Sequence, residues 1–279
     1  MSRVPRSRRE RRQRRLAAAL VALLAAVVLF PFLWLLQMSV KPTADITAFP
    51  FRWLFTPTAA HYRALWESQF PVSLWNSTVV SVATTLVALC VGVPAAFALS
   101  RARFRREGAL ALWILATRMA PPIAFTLPYF LIYRHLGLLD TRLGLVVIYL
   151  TFNLSLVIWM MRSFFDATPR SLDEAAWIDG ASVWQGFVRV TLPLAAPGIT
   201  ATAILCFLFS WNDFFFALIL TRTEAITAPV AVVNFLNYEG WEWGKIAAGS
   251  TLVLLPVLAF SLLVRKYLVG GLTAGAVRG

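Results

Sequence analysis

Long apolar runs alternate with short polar segments along the whole chain. Each of six runs is long enough for a helix that crosses the roughly 30 Å hydrocarbon core of a bilayer. They cover residues 16–38, 77–99, 109–133, 143–161, 199–220 and 246–264. Backbone polar groups find no water inside a bilayer, so such runs must be helical. The pattern therefore predicts an all-α polytopic membrane protein with six transmembrane helices.

The polar segments between these runs predict how the chain is divided. We expect a basic tail, a first span with a proline-rich outer segment, a five-helix core and a second tail. These parts are residues 1–15, 16–76, 77–264 and 265–279, and the core includes a polar loop at 162–197. An even number of spans places both termini on one side of the membrane.

Charge supports this arrangement and sets its orientation. Only 14% of the residues are charged and the mean hydropathy is +0.71, values that exclude a soluble domain. Most of the 26 lysines and arginines flank the spans on the side of the N-terminus, so the termini and the polar loop are predicted to be cytoplasmic. The arginine-rich tail suits anionic lipid, and no nucleic-acid partner is predicted despite a net charge of +13.

No motif in the chain predicts catalysis. It contains neither an H-E-x-x-H zinc motif, nor a G-x-S-x-G nucleophile elbow, nor a phosphate-binding G-x-x-x-x-G-K loop. Cys90 and Cys206 both lie within apolar runs and behave there as small hydrophobic residues. We therefore predict a transporter subunit with no metal site and no bound cofactor, rather than an enzyme.

The polar loop carries the signals of two short helices. Ser171 and Glu174 have the spacing of a capping box, and Gly180 is suited to the left-handed conformation that ends a helix. Ser182 and Gln185 then predict the cap of a second helix that runs to Pro193.

The first of these helices has a narrow face of small residues. The residues on this face are Leu172, Ala175, Ala176 and Asp179. Exposed to the cytoplasm, the face would fit a groove on another protein. In the alternative, the two alanines pack beneath the ends of their own spans.

The same loop resembles a known signature. Glu174, Ala175, Ala176, Gly180, Val190, Leu192 and Pro193 match the EAA-x3-G-x9-I-x-L-P pattern of ABC importer permeases, with Val190 in place of isoleucine. The resemblance implies the type I permease architecture. It also implies that the first short helix is a coupling helix that inserts into a cytoplasmic ATPase and transmits its closure to the spans.

Further segments resemble the smaller permease of maltose-transporter-type carbohydrate importers. They are Ser39–Pro42, Asn76–Ser77, Arg118–Pro122, Leu136–Thr141, Ser210–Asp213 and Gly271–Val277. The resemblance implies a bacterial cytoplasmic membrane location and three partners: a second permease, a dimeric ATPase that binds ATP and magnesium, and an extracytoplasmic solute-binding protein.

Polar residues inside or beside the spans are the candidates for solute contact. Arg118 and Asp213 are expensive to bury in lipid, so they pair with each other, line the solute path or pair with the second permease. Trp211 and Asn212 offer a ring and an amide for a sugar, unless this segment packs against lipid and a neighbouring helix. On the outer loop, Asn234, Asn237 and Tyr238 either contact a ligand or partner, or belong to an interfacial aromatic belt.

The sequence therefore predicts the permease subunit of an ATP-driven, binding-protein-dependent importer of sugars or polyols that works by alternating access. Three alternatives stay open. The first is an ABC importer of glycerol phosphate or another small solute. The second is a non-transporting membrane scaffold, and the third is a stand-alone secondary transporter.

Overall fold

The computed structural model of the chain describes residues 8–101, 107–119, 121–237 and 240–275. Helices account for most of these residues, as the apolar runs predict. The helices are α1 (Arg8–Ser39), α2 (Thr43–Ile46), α3 (Ala60–Trp66), α4 (Phe70–Arg101), α5 (Glu107–Ala116), α6 (Thr126–His135), α7 (Arg142–Ala167), α8 (Ser171–Ile178), α9 (Val183–Gly186), α10 (Leu192–Leu194), α11 (Ala196–Trp211), α12 (Phe215–Leu220), α13 (Ala228–Val233) and α14 (Trp243–Gly275). A 3-10 turn covers Pro122–Phe125, and a π-helical turn covers Phe187–Thr191.

The all-α prediction needs one small correction. Two-residue strands β1 (Leu236–Asn237) and β2 (Gly240–Trp241) pair antiparallel as a hairpin in the outer loop. Elsewhere the described chain is helical or irregular. The helical membrane fold is otherwise observed as predicted.

Four of the six predicted spans are observed as single long helices. The stretches of sufficient length and hydropathy in the described residues are Arg12–Ser39, Phe70–Arg101, Arg142–Ala167 and Trp243–Leu263. The other two predicted spans are interrupted, so the structure does not confirm the count of six. With the bent segment Val183–Trp211 taken as one span, the described residues hold five.

The run at 109–133 breaks at its proline pair. Helix α5 ends at Ala116, and Pro121 is extended with φ −65° and ψ 125° before the 3-10 turn and α6 begin. Proline lacks a backbone N–H and disfavours helical backbone in the residue before it. Two consecutive prolines therefore divide one apolar run into separate pieces.

The run at 199–220 breaks at its polar centre. Helix α11 ends at Trp211, and the side-chain amide of Asn212 donates a hydrogen bond to the Leu208 carbonyl at 2.8 Å. The Asp213 carboxylate then accepts from the Ala217 amide at 3.3 Å, in the first turn of α12. Capping groups placed in mid-run end one helix and start the next.

Several helix boundaries lie beyond the predicted ones, most of all the starts of α1 and α4 and the end of α14. Helix α4 begins at Phe70, because Pro71 is tolerated in a first turn where no intrahelical N–H bond is needed. Helix α1 begins at Arg8, inside the predicted basic tail, and α14 continues to Gly275, inside the second tail. Arginine and lysine are good helix formers, so a basic segment does not by itself end a helix.

One unit of the chain comprises residues 69–234 and 253–275, and α4, α7 and α11 pack together at its centre. Two glycines permit close contact between these helices. A Cβ at Gly92 would lie 2.7 Å from the Val157 side chain, and one at Gly198 would lie 2.6 Å from the Phe164 ring. Small residues at such crossings are typical of membrane helix packing.

The second unit comprises residues 8–68 and 235–252, and a buried lysine organises it. The Lys41 ammonium donates to the Arg52 carbonyl at 2.6 Å and lies 3.4 Å from the centre of the Phe51 ring. The Lys41 carbonyl lies 2.8 Å from the His61 ring nitrogen. A carbonyl and an aromatic face thus compensate the buried charge and order the proline-rich outer segment.

Candidate coupling loop and solute cavity

Helix α8, the predicted coupling helix, begins differently from the prediction. Ser171 is its first helical residue, and no side chain caps this helix. The free amides of the first turn are satisfied by carbonyls instead, with Asp173 and Glu174 both donating to Arg170. The predicted capping box at Ser171 is therefore wrong, because the chain leaves α7 through a turn at Thr168 and reaches helical geometry one residue too early for a serine cap.

The end of α8 is as predicted. Gly180 has a φ of +85°, its amide donates to the Trp177 carbonyl, and the Ala181 amide donates to the Ala176 carbonyl. This pair of bonds is the Schellman motif, which requires a left-handed residue and so favours glycine. The predicted role of Gly180 as a helix terminator is confirmed.

The second capping prediction is also confirmed. Ser182 accepts from the Gln185 amide at 3.2 Å, and the Gln185 side chain accepts from the Ser182 amide at 2.9 Å. Helical chain then continues through the π-helical turn Phe187–Thr191 to Leu194, and α11 leaves at 76°. This bend separates the loop from the span that follows it.

The signature residues lie mostly on the surface of the loop. Glu174, Ala175, Asp179, Gly180 and Pro193 are exposed, and Ala176 and Leu192 are partly buried. The predicted face of α8 is therefore accessible, and Ala175 is not packed beneath the spans.

Exposed apolar side chains extend this surface, and apart from Leu172 the sequence analysis did not identify them. Ile178 is 86% exposed and Trp184 62% exposed, and Leu172, Trp177 and Val183 are also exposed. Grouped apolar residues at the surface of a protein mark a contact site. Their position next to the signature was visible in the sequence as an apolar interruption of the polar loop.

The opposite side of α8 is fixed by a buried carboxylate that the sequence analysis also missed. Asp173 is 1% exposed, and its Oδ2 lies 2.6 Å from Nε of Arg101, the last residue of α4. The hydroxyl of Thr191 donates to the other oxygen of Asp173. An acidic residue on the buried side of a short helix was the only available signal.

A mixed polar and apolar cavity lies among the broken spans. Its volume is about 210 Å³, and it is lined by Arg118, Pro122, Tyr149, Phe152, Asn153, Phe209, Asp213 and Phe216. The guanidinium of Arg118 lies 4.8 Å from the centre of the Phe209 ring. Both interrupted runs contribute to this cavity, as expected when irregular backbone inside a membrane lines a polar space.

Of the four polar candidates in the spans, two line the cavity and two lie beside it. Arg118 and Asp213 form no ion pair with each other in the structure, and both line the same cavity. Trp211 is buried and donates to the Val253 carbonyl at 3.1 Å, away from the cavity. Asn212 uses its amide for the helix end and does not line the cavity.

The outer-loop candidates are only partly described. Asn234 is exposed at the end of α13, and the backbone of Asn237 belongs to β1. Tyr238 lies outside the described residues. Trp241 in β2 and Trp243 at the start of α14 are exposed, with ring centres 4.6 Å apart.

A second carboxylate holds the loop between α12 and α13, which is predicted to face the outside. Asp140, with a φ of +55°, accepts hydrogen bonds from the backbone amides of residues 222–225 at 2.9 to 3.1 Å and from the Thr223 hydroxyl at 2.8 Å. Burial raises the pKa of Asp140, but the hydrogen bonds outweigh it and hold the pKa well below its usual range. We call this arrangement the outer clamp.

Asn76 extends the outer clamp to two more helices. Its amide donates to the carbonyls of Glu224 and Ile226 at 2.8 and 3.0 Å, and its oxygen accepts from Arg142 at 2.7 Å. The neighbouring Ser77 accepts from the Ala228 amide at 2.8 Å. Two segments that carried the family resemblance, Asn76–Ser77 and Leu136–Thr141, are thus parts of one network.

The family itself is established by comparison with known proteins. The model that describes the binding-protein-dependent transport system inner membrane component matches residues 88–268. This chain belongs to that family. The predicted identity as an ABC transporter permease is confirmed, and with it the prediction of a membrane transport subunit that is not an enzyme.

Relatives of this permease match it over nearly its whole length. It is 40% identical to the trehalose transport system permease protein SugB of Mycobacterium tuberculosis, over 92% of this chain and 95% of that protein. It is 39% identical to the probable ABC transporter permease protein y4oR of Sinorhizobium fredii, over 92% of each.

A solved structure of an ABC transporter also supports the permease fold. The crystal structure of a bacterial ABC transporter involved in the import of the acidic polysaccharide alginate matches with a TM-score of 0.79 and 29% identity. The match covers 95% of this permease and 99% of that chain. The broken spans and the loop that carries the signature therefore lie within a permease fold known from an ABC importer.

Proposed function

We propose that this permease is one of two membrane subunits of an ATP-driven importer of sugars or related polyols. In this proposal the chain crosses the membrane six times, with the two interrupted runs completing the count and both termini in the cytoplasm. The excess of lysine and arginine on the side of the termini supports this orientation. The proposal keeps the predicted division of the chain into a basic tail, a first span, a five-helix core and a second tail.

The exposed face of α8 is the observation that carries the proposal. It presents Glu174, Ala175 and Asp179 together with the apolar side chain of Ile178, on a helix with defined ends. A short helix of this kind fits a groove on a partner. We assign it as the contact for a cytoplasmic ATPase, which binds ATP and magnesium itself.

The cavity supports a neutral, hydroxyl-rich cargo. Arg118 and Asp213 bring opposite charges to the same space, and Asn153 and Tyr149 add an amide and a phenol beside aromatic rings. Such groups match the hydroxyls and the C–H faces of a sugar. Relatives named for trehalose, for trehalose and maltose, and for diacetylchitobiose support the same cargo class.

The alternatives receive less support. Glycerol phosphate is an anion, and Asp213 in the cavity opposes it even though Arg118 attracts it. A scaffold has no need for a cavity lined by charged groups, and a secondary transporter has no need for the exposed coupling face. We place the solute-binding protein at the outer loop, where Trp241 and Trp243 are exposed.

The test is uptake by vesicles that contain the permease together with the subunits that co-purify with it and a solute-binding protein. Radiolabelled trehalose, maltose and glycerol phosphate are compared with and without internal ATP. We expect ATP-dependent uptake of a sugar. A Gly180→Pro variant is expected to abolish it, because proline cannot adopt a φ of +85°.

Two results would contradict the proposal. Uptake that follows an ion gradient without ATP would identify a secondary transporter. Uptake of glycerol phosphate but of neither sugar would identify glycerol phosphate as the cargo instead of a sugar. Gly108→Ala is the matched control, since a Cβ at Gly108 meets no atom within 4 Å and the position is helical.

A further inference from the structure

Two structural elements contact the buried carboxylate of Asp173 in α8. Arg101 reaches it from the end of α4, and Thr191 reaches it from the end of the π-helical turn. Arg101 also donates to the carbonyls of Phe165 and Thr168, at the end of α7, at 2.9 and 3.2 Å. We call Arg101, Asp173 and Thr191 the inner node.

The inner node is built for a fixed geometry. The side chains of Arg101 and Asp173 are 9% and 2% exposed, so little water competes with their ion pair. The guanidinium is planar, and it donates to one carboxylate, two helix-end carbonyls and the Ser100 hydroxyl. A π-helical turn is an uncommon local structure that often marks a functional site, and here it places the Thr191 hydroxyl on Asp173.

This geometry gives the two sides of α8 different tasks. The outer side carries the exposed coupling face, and the inner side carries Asp173. A displacement of α8 must either move the ends of α4 and α7 with it or separate a buried ion pair. Helices α4 and α7 pack against each other and against α11, so such a displacement reaches the centre of the core.

We propose that the inner node is the positioning joint that carries motion of the coupling helix into α4 and α7. The inference rests on the proposed function, because it assumes that a partner moves α8. In this role Asp173, Arg101 and Thr191 contact neither cargo nor ATP. They determine how much of the partner's closure reaches the spans.

The test measures coupling, which is the number of sugar molecules imported per ATP hydrolysed. If Asp173 were needed only for folding, its substitution would leave this ratio unchanged in the complexes that assemble. Asp173→Asn keeps the size of the side chain and removes its charge. In the reconstituted complex, the number of sugar molecules imported per ATP hydrolysed is expected to fall about tenfold, while ATP hydrolysis continues. The control is Asp45→Asn, which removes the same charge from the ion pair with Arg52 in the other unit of the chain.

Each result decides the question. A ratio within about twofold of wild type in assembled Asp173→Asn complexes would overturn the inference. If that variant does not assemble, Thr191→Val decides instead: a fall of about threefold supports the joint, and an unchanged ratio overturns it. Failure of the wild-type complex to import any sugar would count against the proposed function. This result is distinct from a failure of the inner-node inference, because it is seen without any variant.

Discussion

Asp140 and Asp173 lie at opposite ends of α7, and each holds a connecting segment against the core. The outer carboxylate accepts mainly from backbone amides of one short loop. The inner carboxylate accepts from an arginine and a threonine that belong to different elements. The two ends of the same span are therefore stabilised by different kinds of donor.

The difference has a mechanical meaning. Backbone donors belong to a single loop, so the outer clamp orders residues 222–225 as one rigid turn. The side-chain donors of the inner node connect elements that are far apart in the chain. A clamp on one loop makes that loop rigid, whereas a node between helices makes their movements depend on one another.

The largest expected effect comes from removing the counter-charge of the inner node. Arg101→Ala leaves Asp173 buried without an ionic partner, which typically costs about 3–5 kcal/mol. We expect a large fall in the thermal unfolding midpoint of the detergent-purified permease. Arg52→Ala is the control, because the Arg52 side chain is 67% exposed and such surface pairs contribute about 1 kcal/mol or less. Equal losses in both variants would remove the contrast between buried and surface pairs.

A smaller loss is expected at the outer clamp. Asp140→Asn keeps the left-handed backbone, which asparagine tolerates, but replaces one acceptor oxygen by a donor. The lost charged hydrogen bonds correspond to about 2 kcal/mol. Hydrogen exchange at residues 222–225 should become much faster, with little change at the inner node. Faster exchange at both places would show that the two ends are not independent.

The left-handed position in the coupling loop gives a third, smaller effect. Gly180→Ala should destabilise the loop by about 1–2 kcal/mol, because the Cβ of alanine makes a positive φ sterically unfavourable. Gly108→Ala should be neutral or slightly stabilising, since a Cβ meets no atom at either position and only the backbone differs. Protease sensitivity of the loop measures the difference, and similar behaviour of both variants would contradict the assigned geometry.

The smallest expected effect is that of mild acid on the outer clamp. The folded-state pKa of Asp140 is lower than that of the unfolded chain, so its stabilisation is present above the ordinary carboxyl pKa of about 4. It is lost only as the pH falls through the depressed folded value. Exchange at residues 222–225, corrected for the intrinsic rate, should therefore be equal at neutral pH and at about pH 5. Loss of protection at the milder pH would show that the carboxylate is not held in its charged form.

Part of the candidate site was readable without coordinates. The capping box at Ser182, the left-handed Gly180 and the exposed helix between the spans follow from local residue chemistry. The start of α8 was misjudged, because a capping box at Ser171 and a start one residue earlier look alike in a sequence. The turn at Thr168 determines where α8 starts, and this turn depends on where α7 ends.

Long-range partners were not readable in the same way. Arg118 and Asp213 stood out because charges inside apolar runs are costly, but their arrangement around one cavity depends on how two broken spans pack. Asp173 and Arg101 gave no such signal, since each lies next to other charged residues at the end of an apolar run.

The amino-acid sequence alone determined the membrane environment, four of the long helices and the family signature, because hydrophobic length and local capping act between residues close in the chain. Tertiary structure decided which carboxylate meets which donor. The outer clamp joins residues more than 80 positions apart, and the inner node joins residues 72 positions apart. Contacts over such separations depend on the packing of α4, α7 and α11, and no local pattern encodes that packing.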